Sequence, residues 1–240
     1  MIKAWSFSRL LDFEKCPHMV KLKAIDKIPE PKNQYSERGT QLHSAAEAFV
    51  KGETPTLHEE LRTFDLEMNS LRELYPTGKV HVEQEWAHDR EWNICGWRDE
   101  SAWVRIKLDF FVLLTPSVGL VVDLKSGRKF GNEIKHAEQG QLYAGAAFLR
   151  FPELKKVQTE FWYSDKDDLT KTDYTPKQAA KFIASFDRRG QAMTAATVFP
   201  AKPSIFACRY CAYRAEEIGG TGDCKFSPKV LVTPAKKQWR

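Results

Sequence analysis

The sequence predicts a mixed α/β domain, ordered as helices, a meandering sheet, then helix–strand–helix. Helix signals fill the first 75 residues, and strand-like segments follow from Val80 to Lys125. An alanine-rich helical stretch then separates that sheet from a further strand pair. At 42% apolar and 12% aromatic, the 240-residue chain can bury a core, which excludes global disorder.

Residues 5–13 read as a short helix capped by Ser6 or Ser8 and ended near Cys16-Pro17. A loop rich in proline and charge covers residues 27–32. Residues 39–49 read as a helix in which His43 and Glu47 stand one turn apart on a common face. Residues 52–55 break it, and 57–74 are helical again. Strands are expected at 80–86, 92–96, 104–109 and 120–125. The turn-forming stretch 115–119 makes the last two antiparallel neighbours. Residues 137–149 form a helix. Residues 157–163 alternate as a strand that turns at 165–168 into a partner ending near Tyr174. Thr175-Pro176-Lys177-Gln178 opens a helix running to about Ala196, with proline at its first position and Gln178 placed for a capping box. From Phe199 the chain reads as a loop with three cysteines and a basic tail bearing Lys236, Lys237 and Arg240. We take residues 1–240 as one domain. Its parts are a helical portion (1–75), a core (76–198) and a cysteine-bearing C-terminal segment (199–240).

Lys and Arg exceed Asp and Glu, 37 to 32, a mild excess that fits a polyanionic partner without demanding one. No apolar run approaches membrane-spanning length and no secretory leader opens the chain, so a soluble, cytoplasmic protein is expected. Five unevenly placed cysteines suit metal binding in a reducing compartment better than a disulfide framework. Cys16, Cys208, Cys211 and Cys224 can supply four thiolates, enough for a zinc ion or a [4Fe–4S] cluster. Cys95 reads as an ordinary strand residue.

The most informative segments are Val104-Arg105-Ile106-Lys107-Leu108-Asp109 and Leu120-Val121-Val122-Asp123-Leu124-Lys125. Alternation puts Asp123 and Lys125 on one face of their strand, and a hairpin can bring Asp109 beside them. Two carboxylates and an amine at one end of a sheet suit a hard divalent cation held against a scissile phosphate. Asp109 and Asp123 are then the carboxylate ligands of Mg²⁺ or Mn²⁺, with the Leu124 carbonyl as a further one. Lys125 is a compact cation able to orient water and stabilise developing charge. By spacing alone, an Asp-x-Lys triplet is more often a solvated strand end. Here the acid closes an apolar run, where an ion is costly without a purpose.

With these residues in place, the chain resembles RecB-type nucleases of the PD-(D/E)XK superfamily, including the CRISPR-associated RecB-like exonucleases. Arg38-Gly39-Thr40-Gln41-Leu42-His43 resembles the helix motif whose histidine is a metal ligand. Asp109 matches the first metal carboxylate. Val122-Asp123-Leu124-Lys125-Ser126-Gly127 matches the Asp-x-Lys core. Gln139-Gly140-Gln141-Leu142-Tyr143 resembles the Q-x-x-x-Y motif, which supports the site and the DNA backbone. Ile106 stands where relatives often have glycine. The resemblance covers nearly the whole chain and is closest to small phage-type members lacking a helicase domain. It implies a restriction-endonuclease-like core, a central mixed sheet flanked by helices, whose terminal segments are joined by a cysteine-bound cluster. In such relatives a cysteine before proline joins three C-terminal ones around [4Fe–4S], as Cys16-Pro17 with Cys208, Cys211 and Cys224 would here; zinc is the less favoured occupant.

The activity implied is a metal-dependent DNA exonuclease acting on ends or single strands in recombination, repair or phage DNA processing. Recombination or replication proteins would be its partners. A structure-specific endonuclease, and a non-catalytic DNA-binding assembly factor, are the alternatives. The catalytic set is Asp109, Asp123, Lys125, Gln139 and Tyr143. The metal set is His43, Asp109, Asp123 and Leu124. Glu47 and Glu85 are weaker candidates on spacing. Arg38, Arg128 and Lys129, with Lys135 and His136, flank the site in sequence and would meet phosphates. Trp5, Phe7 and Tyr210 could stack on unpaired bases, although core packing is the plainer role for each.

Overall fold

The structure, a computed structural model, describes residues 1–31, 34–127, 129–166 and 168–230. The chain divides into two compact units, Met1–Pro31 with Gly190–Arg240, and Lys32–Arg189. In the first, helix α1 (Phe7–Lys15) starts where the Ser6 side chain accepts the Arg9 amide hydrogen, the cap expected from the sequence. Helix α2 (Pro17–Val20) follows and runs into a π-helical turn at Lys21–Ile25.

In the second unit, α3 (Gln34–Val50) begins five residues before the expected start. Residues 57–74 divide into a 3-10 segment (Glu59–Phe64) and α4 (Asp65–Leu74). The strands are β1 (Val80–His88), β2 (Ile94–Cys95), β3 (Val104–Thr115) and β4 (Val118–Lys125). Helix α5 (Glu133–Arg150) crosses over to β5 (Lys156–Tyr163), which pairs with β6 (Asp168–Tyr174). Helix α6 (Pro176–Thr194) follows, and the single turn α7 (Ile205–Cys208) belongs to the first unit. At the start of α6, Gln178 accepts the Thr175 amide hydrogen (2.9 Å) and Thr175 Oγ1 accepts that of Gln178 (3.4 Å). The capping box is therefore formed.

The sheet order is β2-β1-β3-β4-β5-β6, antiparallel throughout except between β4 and β5. That one parallel pair requires a crossover, which α5 supplies. On one side of the sheet, Leu42, Ala46 and Phe49 of α3 and Met68 and Leu71 of α4 pack with Val80, Val82, Phe110, Val112, Val122 and Leu124. Phe64 stacks on Trp162 of β5 within the same cluster, at 5.0 Å between centroids. Burying such side chains contributes roughly 1.5–3 kcal/mol each before ordering costs are subtracted. Helix α5 sits close on β5 because Gly140 has no Cβ: one would come within 2.8 Å of Thr159 Oγ1. That close approach brings the next turn of α5 down beside the end of β4.

Candidate active site

Beyond Phe110↔Val122 the β3–β4 ladder gives way. There the Asp109 carboxylate, in place of a backbone carbonyl, accepts the Leu124 amide hydrogen at 2.7 Å. The two strands open at this point and leave their acids facing a cleft of about 590 Å³. His43, Asp109, Asp123, Leu124, Lys125, Gln139 and Tyr143 all line it, so α3, β3, β4 and α5 each contribute.

Four side chains close a ring of polar contacts. Lys125 Nζ donates to Gln139 Oε1 (3.0 Å), Gln139 Nε2 to the Tyr143 hydroxyl (2.5 Å), and that hydroxyl to Asp123 Oδ1 (2.6 Å). Asp123 Oδ2 forms an ion pair with Lys125 and completes the circuit. The ammonium also lies 5.3 Å from the centre of the Phe161 ring, whose face favours a cation. Burial, then the charge of Asp123, raises the Tyr143 hydroxyl well above its ordinary pKa, so it stays protonated and donates.

The electrostatics favour a cation here. Burial first, and the charge of Asp123 second, push the Asp109 carboxyl upward, and bonds from His43 and Leu124 offset only part of this. His43 Nδ1 meets Asp109 Oδ1 at 2.9 Å. Burial works against a charged imidazole, but the Asp109 bond and the charges of Asp109, Asp123 and Glu83 outweigh it, and the His43 pKa rises. A divalent ion relieves both the carboxylate repulsion and the protonation it enforces.

Sequence reasoning passed over Glu83. His43, Glu83 and Asp109 each offer a ligand atom, all within 4.8 Å of one another. Strand β1 is irregular there. Pairing with β3 runs to Val82↔Phe110 and resumes at Gln84↔Leu108, while Glu83, opposite Asp109, has φ 48°. Such a left-handed conformation costs a side-chain-bearing residue about 1–2 kcal/mol. It also resets the strand's alternation. Val82 packs in the α3–α4 core, whereas Trp86, four residues on, meets Phe111 and Phe151. Regular alternation would give both one face, and it gives Glu83 and Glu85 one face too, so the pattern does not separate the half-buried Glu83 from Glu85, which is exposed. The apolar positions Val80, Val82 and Trp86 keep one parity in the sequence, so the break at Glu83 shows only in the folded strand. Glu47 also lines the cleft, paired with Lys51 at 2.6 Å, and Glu83 is paired with Lys107 at 2.5 Å.

The donor set fits a hard or borderline divalent ion: carboxylates, one imidazole, and Asp123 Oδ2, which among the described residues is buried with no hydrogen bond beyond its ion pair to Lys125. The expected phosphate contacts fare differently. Arg38 bonds to Glu60, to Asp165 (2.5 Å) and to the Ser126 carbonyl (2.9 Å), pairings that raise its pKa. Lys129 pairs with Asp168 at 2.5 Å. His136 is buried, bonded to the Tyr163 hydroxyl at 2.8 Å, and burial lowers its pKa to about 4, so it is neutral and no phosphate anchor. Arg128 and the tail residues Lys236, Lys237 and Arg240 lie outside the described residues.

A second donor cluster lies within the unit built from the chain ends. Cys16, Cys208, Cys211 and Cys224 line one small cavity with Met19, Leu22 and Phe226. The Lys202 amide points at Cys16 Sγ, 3.5 Å away. Burial pushes the Cys211 and Cys224 thiols up, and the charges of neighbouring thiols add to it. Among the described residues, the group of ligand atoms within 4.8 Å of one another is His43, Glu83 and Asp109, and the four cysteines share a cavity without forming such a group. Cys95 pairs with Ala87 in the sheet and takes no part.

A family model for the PD-(D/E)XK nuclease superfamily matches residues 4–215. The chain belongs to this superfamily. Its six-stranded mixed sheet with flanking helices is the fold of that family. A crystal structure of a protein assigned as an exonuclease, from Eubacterium rectale, is similar at 13% identity and TM-score 0.50, covering 87% of this chain and 86% of that one. A crystal structure of LHK-Exo, an alkaline exonuclease from Laribacter hongkongensis, with dAMP has 14% identity and TM-score 0.43 over 80% of this chain and 87% of that one. No curated protein matches the sequence. Among the described residues, no helix is long and apolar enough to cross a membrane.

Proposed function

We propose that this PD-(D/E)XK nuclease is a metal-dependent DNA exonuclease of the RecB-like branch, acting on ends or single strands in recombination, repair or phage DNA processing. The observation that carries the reading is the opening of β3 from β4, which exposes Asp109 and Asp123 to one cleft with Lys125 between them and α5. The assigned exonuclease from Eubacterium rectale among the similar solved structures lends support.

His43, Asp109, Asp123, the Leu124 carbonyl and Glu83 would hold Mg²⁺ or Mn²⁺. When bound there, such an ion supplies Lewis-acid stabilisation of phosphorane charge and acidifies a water. Lys125, fixed by Asp123 and Gln139, orients that water and faces the charge that develops on the phosphorane oxygens. Tyr143 and Gln139 hold Asp123 and Lys125 in register with each other. In the other unit, Cys16, Cys208, Cys211 and Cys224 would hold a [4Fe–4S] cluster. It would staple residues 1–31 to the C-terminal segment by closing a loop of nearly the whole chain.

Incubation with Mg²⁺ or Mn²⁺ and end-labelled linear DNA, beside a circular form of the same sequence, tests the activity. Release of nucleotides or short oligonucleotides from the linear form alone is expected. Cleavage of the circle would instead make the protein an endonuclease, and inertness on both would make it a binding factor.

A further inference from the structure

Charge is unevenly distributed between the two units. Residues 32–189 carry 23 Lys and Arg against 25 Asp and Glu, whereas the two terminal segments together carry 14 against 7. The unit holding the cleft is thus slightly acidic, and the chain's net positive charge belongs to the other one. A polyanionic substrate is attracted by the unit of the chain ends and mildly repelled by the unit that holds the cleft.

That basic unit also shows an unusual surface. Phe206 and Tyr210 are 85% and 77% exposed, although large aromatic side chains are normally covered. They are four residues apart, Phe206 on α7 and Tyr210 in the turn after it. The Arg209 guanidinium lies 5.4 Å from the centre of the Tyr210 ring. The intervening Cys208 and the following Cys211 are buried, each 8% exposed, and face the thiol cavity. The cysteines therefore anchor the segment from within while its rings and cation point outward.

We propose that Phe206, Arg209 and Tyr210 form a stacking surface for single-stranded DNA, a strand-holding site separate from the catalytic cleft. Resting on the nuclease reading for the identity of its ligand, it extends that reading to a preference for unpaired strands. Stacked bases account for the two exposed rings, and the unit's positive charge accounts for the attraction of the backbone. Rings on a surface read any base alike, so the preference is for single strands and not for a sequence.

The test uses the purified full chain with Ca²⁺ in place of Mg²⁺, and fluorescence anisotropy of a labelled thymidine 20-mer and a blunt duplex. With stacking contributing at least about fivefold per ring, Phe206→Ala with Tyr210→Ala should weaken single-strand binding about 25-fold or more. Duplex binding should change less than about threefold, while Tyr210→Trp retains single-strand affinity. Hydrolysis of bis(p-nitrophenyl) phosphate with Mn²⁺, which needs no strand-holding, should be unchanged in every variant. Single-strand affinity of the double variant within twofold of the parent would overturn the proposal, and the rings would then be a protein-docking patch. A parent that hydrolyses no phosphodiester yet loses strand affinity on substitution would sink the nuclease reading and leave the stacking surface standing.

Discussion

Tyr143 donates its hydroxyl hydrogen to Asp123 Oδ1 across 2.6 Å, and by accepting from Gln139 it links that acid to the amine of Lys125. A helix residue four positions beyond Gln139 thus sets the orientation of a strand carboxylate. Tyr143→Phe removes one hydroxyl from a buried, close-packed site and leaves the ring. Hydrogen bonds to charged groups contribute about 1.5–3 kcal/mol, so kcat should fall roughly ten- to a hundredfold while KM for DNA changes little. Steady-state kinetics on end-labelled DNA would check this; an unchanged kcat would remove Tyr143 from the site's support.

Lys125→Ala and Asp123→Ala should each abolish cleavage and leave folding and any visible cluster absorption intact. Lys125→Arg should not rescue, since a planar fork cannot replace a compact ammonium between Asp123 and Gln139. Parent-like cleavage by either alanine variant would refute the assignment.

Metal affinity separates Glu83 from its neighbour. Glu83 groups with His43 and Asp109, whereas Glu85 is exposed on the same strand. Glu83→Gln should weaken Mn²⁺ binding by about tenfold or more, and Glu85→Gln should leave it unchanged. Titration calorimetry or Mn²⁺ paramagnetic resonance reads this without any turnover. Equal affinities in the two variants would count against Glu83.

How the sequence shows and hides this site follows from what each signal depends on. The Asp123–Lys125 relationship rests on strand alternation, a local rule, and the sheet's order follows from turn chemistry and the single helical crossover. Glu83 was hidden because one left-handed residue inverted the alternation that makes strand faces readable. Arg38, Lys129 and His136 read as phosphate contacts because they flank the site's motifs in the sequence. Their partners Glu60, Asp165, Asp168 and Tyr163 are distant in sequence, and only folding brings them together. Charge placement is a tertiary property, whereas the spacing of an acid and a lysine on one strand is not.

His136 makes a prediction about pH. Its folded pKa of about 4 lies below the ordinary 6.5, because burial disfavours the charged ring. The unfolded chain therefore binds the extra proton first as pH falls. Stability from this group is fully present above about 6.5 and is lost as pH drops through about 4. In EDTA, Tm should decline over that window, and His136→Gln should reduce the slope. Burial also lowers His81 and His88, so part of the slope should persist. An identical slope in parent and variant would place the titration elsewhere.

Cysteine chemistry predicts a measurable stoichiometry. If Cys16, Cys208, Cys211 and Cys224 hold [4Fe–4S], protein purified without oxygen should be brown and carry about four irons per chain. Cys208→Ser should lose the colour and lower Tm. One zinc per chain and no visible absorption would assign the site to zinc instead, and the staple would keep its structural meaning.

Arg38 decides between holding substrate and holding the protein. Its guanidinium joins Glu60, Asp165 and the Ser126 carbonyl, which ties α3 to the segment immediately after Lys125. Gly39 lies beside the same segment, where a Cβ would stand 3.1 Å from Ser126 Oγ. A residue so engaged should act on the site through the position of Ser126 and Gly127, not through a phosphate. Arg38→Lys keeps the charge but cannot reproduce three simultaneous bonds, so kcat should fall about tenfold or more. DNA affinity in Ca²⁺, and its dependence on salt, should be unchanged. A phosphate contact would behave oppositely: Arg38→Ala would reduce the slope of log K against log salt by about one and weaken binding to every DNA alike. Measuring both quantities in both variants therefore separates the two roles. A reduced salt slope with kcat preserved would return Arg38 to the DNA interface.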